Sequence, residues 1–138
     1  MLIREFRIED YTRVVTLGKE ARLVLRLGDE LDDIKLKLQR DPDLFLISEG
    51  EHEIVGVVMG AWDGRRGWIN HLAVKPAHLR RGIANALIDE LEKRLTAKGA
   101  RKVTAQVYQG NRNSLEFFKA RGYEIHSDLI MIGKHLKN

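Results

Sequence analysis

Cysteine is absent from this chain. That excludes a disulfide framework, a thiolate metal site and cysteine nucleophile chemistry, and it accords with a reducing compartment. Also missing is any long apolar run of the kind a signal peptide or membrane span needs, so a soluble cytoplasmic protein with no membrane partner is expected. Charge of one sign is lacking too: 24 basic and 20 acidic residues are interspersed along the chain. The one compact basic patch, residues 75–81 including His78, is too small for a duplex footprint, so no nucleic-acid partner is expected. The five histidines show no paired ligand spacing, and no metal is expected. There is no internal repeat, linker or low-complexity tract. At 138 residues the chain fits one domain, 1–138, able to bury a core without staples.

What remains is a pattern of alternating strands and helices. Residues 2–7 alternate like an edge strand, and Glu9-Asp10 gives an acidic start to a helix expected to run to about Leu25. Gly28-Asp29 breaks that pattern before a second helix to about Gln39, which Asp41-Pro42 ends. Residues 44–48 and 53–62 read as a hairpin around Glu49-Gly50-Glu51. A turn at Asp63-Gly64-Arg65-Arg66-Gly67 leads into a strand over residues 68–74. A third helix is expected from about Arg81 to Lys98, with Leu87, Ile88, Leu91 and Leu95 as its apolar stripe and Gly99 as its stop. The strand expected over 101–108 then lies parallel to the 68–74 strand by the right-handed crossover rule. A fourth helix over 113–121 ends at Gly122. Residues 123–126 and 128–134 read as a closing hairpin.

The most informative stretch is Val74-Lys75-Pro76-Ala77-His78-Leu79-Arg80-Arg81-Gly82-Ile83-Ala84. An apolar strand breaks at Pro76 into a basic turn that opens an amphipathic helix. Unpaired N–H groups at a helix start, the positive end of its dipole and two guanidinium groups favour a polyanion at one spot. Gly82 allows close approach and Ala84 keeps the first turn slim. The same succession of strand, loop and helix also occurs in α/β domains that bind nothing there, so local pattern alone leaves both readings open.

Here the chain resembles the GNAT superfamily of acyl-CoA-dependent N-acetyltransferases. Leu72-Ala73-Val74-Lys75-Pro76 followed by Arg80-Arg81-Gly82-Ile83-Ala84 is similar to the family's pyrophosphate loop, with Leu79 at a position where the family carries Gln or Arg. Asn111-Arg112-Asn113-Ser114-Leu115-Glu116-Phe117-Phe118, ending in Gly122-Tyr123, is similar to its second motif. The resemblance implies an α/β (α+β) fold: a mixed central sheet of about seven strands, about four helices, and central parallel strands that splay apart. It implies acetyl-CoA as co-substrate and a primary amine, on a small molecule or a peptide, as acceptor, in a monomer or homodimer. It further implies cofactor contacts from Leu72, Ala73, Val74, Arg80, Arg81, Gly82, Ile83, Ala84, Asn111 and Ser114.

The catalytic groups are more open. The family's usual tyrosine falls at Phe118, which cannot protonate a thiolate, so Tyr108, Ser114 or a water takes that role, or the thiolate leaves unassisted. Tyr108 can equally be a packed strand aromatic. The glutamate some relatives use as base falls at Trp68; His71, an imidazole able to accept a proton directly or through water, lies on the same strand, and Asn70 could order a water. A strand histidine can also be purely structural, and Asn111 can simply cap a helix. The acidic cluster Glu30, Asp32 and Asp33 lies where relatives border the acceptor groove, or is a solvated helix face. With acid and base positions occupied by Phe118 and Trp68, a catalytically weak module that binds acyl-CoA or a partner is the alternative to an enzyme.

Overall fold

Nine consecutive apolar or small residues, Ile54–Trp62, form the longest strand, β3. It lies at the centre of a five-stranded sheet. The computed structural model of the protein describes residues 1–136. Strand β2 (Phe45–Glu49) pairs antiparallel with β3, and β1 (Leu2–Glu5) edges β2. On the other side β4 (Gly67–Val74) is antiparallel to β3, and the short β5 (Val103–Ala105) is parallel to β4. The expected antiparallel start and parallel crossover are both present. The chain divides after Gln106 into two compact units.

In the first unit, helices α1 (Tyr11–Glu20) and α2 (Leu31–Arg40) supply Leu17 and Ile34 to a core with Phe6, Phe45, Ile47, Val57, Met59 and Ala73. The Phe6 and Phe45 rings stack 4.1 Å apart. Helix α3 (Ile83–Lys98) supplies Leu87, Ile88, Leu91 and Leu95, all wholly buried. Each such side chain contributes about 1.5–3 kcal/mol. Gly56 on β3 sets how closely α3 lies on the sheet, because a Cβ there would stand 2.7 Å from the Ile83 Cγ2 methyl. A glycine inside a strand marks such a close approach.

Helix boundaries differ from the sequence expectation for local reasons. Helix α1 stops at Glu20, five residues early, because Arg22 takes a left-handed φ of 59°. Leu23 N–H then donates to Gly18 O at 2.7 Å and Arg22 N–H to Lys19 O at 3.1 Å, the paired bonds of a Schellman ending without glycine. Helix α3 starts at Ile83, not Arg81, since Arg80 and Gly82 both have positive φ.

Beside Glu9, Asp10 does more than start a helix. Its carboxylate, 1% exposed, accepts two bonds from the Arg4 guanidinium at 2.8 and 3.0 Å, one from Arg13 at 2.7 Å and one from Arg7 N–H at 2.8 Å. Burial pushes its pKa up, but these donors outweigh burial and hold it at about 2.

In the second unit, helix α4 (Arg112–Ala120) buries Phe118, whose ring centroid lies 5.2 Å from that of Phe117 and 4.9 Å from that of Tyr123. The expected closing hairpin over 123–126 and 128–134 is not formed: those residues carry a turn but no strand. Leu129 N–H reaches His126 O at 3.3 Å, so the reversal exists without a ladder. Leu129, Ile130, Met131 and Ile132 are exposed. The sheet therefore has five strands and not seven among the described residues.

Candidate active site

Strand β4 runs into the loop of interest under tight local control. Lys75 N–H donates to Val55 O at 2.8 Å, and the Lys75 ammonium contacts Glu53 at 2.7 Å. A single 3₁₀ turn, Pro76–His78, then carries the chain to Leu79. Lys75 is thus engaged with a carboxylate, which leaves Arg80 and Arg81, both exposed, as the cations of the basic patch. Arg80 at φ 65° and Gly82 at φ 81° both take the left-handed region, so the backbone turns sharply just before the first turn of α3. Among the described residues no side chain caps α3, and a Cβ on Gly82 would meet nothing within 4 Å. The start of α3 is both electropositive and open.

Strands β4 and β5 pair only through Gly67 with Val103, Trp68 with Thr104 and Ile69 with Ala105. A last bond, Gln106 N–H to Ile69 O at 3.0 Å, closes this ladder. Beyond it β4 continues to Val74 with no strand paired on that side among the described residues, in keeping with the expected opening between the two parallel strands. Because Lys75 N–H faces β3, alternation turns the backbone groups of Ala73 toward β3 and those of Leu72 and Val74 toward the gap. An extended ligand arm can pair there as an added strand.

Pairing of β4 with β3 skips one residue: Met59 opposes His71, Gly60 opposes Ile69, and Asn70 has no counterpart. This bulge changes the side that the following residues face. Gly67 and Ile69 face α3, whereas His71 and Ala73 lie with Met59 and Val57 on the α1–α2 side. His71 therefore meets Asp29, on the loop between α1 and α2, with Nε2 at 3.0 Å from both carboxylate oxygens. Asp29 is fixed independently of the histidine: its Oδ2 accepts Arg26 N–H at 2.8 Å, and its carbonyl accepts the Tyr11 hydroxyl at 2.9 Å. Burial pushes the Asp29 carboxyl up, but the bonds from His71 and Arg26 outweigh it and hold the group below the usual carboxylate range. Both residues line a small, predominantly apolar cavity of about 40 Å³ with Phe6, Tyr11, Leu23 and Met59.

Asp29 was not among the residues singled out from sequence. Its neighbours were: Asp32 and Asp33 stand in the first turn of α2, where they complement the helix dipole, and Glu30 immediately precedes it. The Gly28-Asp29 break was visible, but nothing in the chain marks a partner 42 residues away.

The first unit thus brings together His71, Leu72, Ala73, Val74, Arg80, Arg81, Gly82, Ile83 and Ala84 along one continuous strand, loop and helix. Tyr108, Asn111 and Ser114 belong to the second unit. Asn111 caps α4, its Oδ1 accepting Ser114 N–H at 3.1 Å. Tyr108 is half-exposed, while Phe118 is buried in its aromatic cluster. No group of histidines and carboxylates suited to a metal is found among the described residues.

A mixed sheet whose parallel pairing ends early beside an uncapped helix start defines an α/β protein with an open strand edge next to an anion-binding helix start. Comparison with known proteins makes the assignment definite. The acetyltransferase (GNAT) family matches residues 4–123. An acetyltransferase of Sodalis glossinidius (strain morsitans), SG1711, is 41% identical over 136 residues, covering 99% of this chain and 96% of that one. In fold, the chain is similar to Naa20 of Chaetomium thermophilum, solved with a bisubstrate analogue, at TM-score 0.80 and 24% identity over 91% of this chain and 72% of that one. It is also similar to the PaiA N-acetyltransferase of Thermoplasma acidophilum, solved with coenzyme A, at TM-score 0.75 and 18% identity over 91% of this chain and 90% of that one. This chain belongs to the GNAT family and is an N-acetyltransferase.

Proposed function

We propose that the protein moves an acetyl group from acetyl-CoA to a primary amine on a small molecule or a peptide. The observation that carries this reading is the unpaired edge of β4 at Leu72 and Val74, which leads through the loop to the uncapped, arginine-flanked start of α3. Residues 80–84 take the pyrophosphate. The backbone of Leu72, Ala73 and Val74 pairs with the pantetheine arm, and one N–H polarises the thioester carbonyl. Asn111 and Ser114 contact the same arm. His71 accepts a proton from the amine, and Tyr108 or Ser114 returns one to the departing thiolate.

The test is calorimetry with acetyl-CoA, followed by measurement of coenzyme A release against a panel of amines. Binding together with release that depends on an added amine is the expected result. Failure of acetyl-CoA to bind a folded protein overturns the reading.

A further inference from the structure

We propose that Asp29 is the positioning residue for His71: it holds the imidazole with Nε2–H toward the carboxylate, so that Nδ1 carries the lone pair that accepts the amine proton. The inference rests on the acetyl-transfer reading above and adds a residue and a proton position to it.

The geometry fixes the tautomer. A carboxylate only accepts hydrogen bonds, so the ring nitrogen facing it must bear the proton. Both Asp29 oxygens are equidistant from Nε2. In the neutral ring the other nitrogen is then the base. Nδ1 has no hydrogen-bond partner among the described residues and is not one of the buried atoms sealed from solvent. Apolar walls on the shared cavity strengthen the pair by lowering the local dielectric. Asp29 is also held before any ligand arrives, by Arg26 N–H and the Tyr11 hydroxyl. A partner fixed at two points restricts the ring far more than a mobile surface carboxylate does.

The proton accounting closes. As the neutral amine nitrogen bonds to the acetyl carbon, the carbon–sulfur bond breaks and its electron pair leaves with sulfur. One amine proton passes to Nδ1, and the imidazolium so formed is stabilised by Asp29, which stays ionised. That proton is released to solvent, and the thiolate takes one up, giving amide and free thiol.

The test uses the full chain and the variants Asp29→Asn, which keeps an oxygen for Arg26 N–H, and Asp29→Glu, which keeps the charge. Nitrogen-15 NMR of His71 in the wild type should show Nε2 protonated and Nδ1 bare. Asp29→Asn should lose this fixed tautomer, since an amide offers a donor as well as an acceptor. With spermidine, L-lysine and a short unblocked peptide as probes, kcat should fall about 100-fold in Asp29→Asn. Its acetyl-CoA affinity should be unchanged, and Asp29→Glu should recover part of the rate. Nδ1 protonated in the wild type, or kcat within twofold and the tautomer intact in Asp29→Asn, would overturn the proposal. A protein with the expected tautomer that does not bind acetyl-CoA would instead break the acetyl-transfer reading, so the two failures are distinguishable.

Discussion

Helix α3 begins at Gly82 in the left-handed region with no side chain folded back on its first turn, whereas α4 begins at Asn111, whose side chain accepts the Ser114 N–H. Both starts are exposed, and both carry the orphan donors that every helix has. At α4 a donor is satisfied internally, which stabilises the helix and removes that donor from ligand binding. At α3 no side-chain cap takes up those donors, and the exposed Arg80 and Arg81 stand just before them. The contrast separates a helix start built for stability from one left available to an anion.

The largest expected effect comes from closing the open start. Gly82→Glu places a side chain at φ 81° and a negative charge at the open start of α3. Acetyl-CoA affinity measured by calorimetry should fall by about 100-fold or more, equivalent to about 2.7 kcal/mol. Strain at that φ should also lower stability by about 1–2 kcal/mol. Unchanged affinity in a folded variant would remove the pyrophosphate from this loop. A smaller effect is expected when only the cations go: Arg80→Ala combined with Arg81→Ala should weaken binding about tenfold without abolishing it, because exposed charges are screened while backbone donors remain. Complete loss would mean that the side chains dominate. The smallest effect sharpens the other half of the contrast. Asn111→Ala should cost about 1 kcal/mol in urea unfolding through loss of the cap. If acetyl-CoA affinity falls as well, Asn111 contacts the ligand in addition to its own helix.

The stretch from β4 through α3 was legible because its signals are local. A broken strand, a basic turn, a glycine and a 3.6-residue stripe ending at Gly99 all lie within residues 67–99. The ending of α4 at Gly122 was legible for the same reason. What sequence did not convey was pairing. Residues 129–132 carry strand-forming side chains, but β propensity describes fit to a pleated surface and not whether a free edge is offered. The contact between His71 and Asp29 was hidden twice, once by sequence distance and once by the bulge, which no residue type announces. Gly56 does carry a readable sign, since a glycine within an aliphatic strand signals a neighbouring backbone or helix. The Arg22 ending of α1 gave no comparable sign.

The bulge at Asn70 lets Ile69 and His71, two residues apart, take opposite faces of the sheet without loss of pairing to β3. The residue has no counterpart across the ladder, so many side chains could stand there without disturbing the pairing of Met59 with His71. Deleting it would join Ile69 directly to His71 and restore ordinary alternation, with Ile69 still opposite Gly60 and His71 still opposite Met59 on the face toward Asp29. The face that His71 takes is therefore set by its register against Met59, not by which residue stands at position 70.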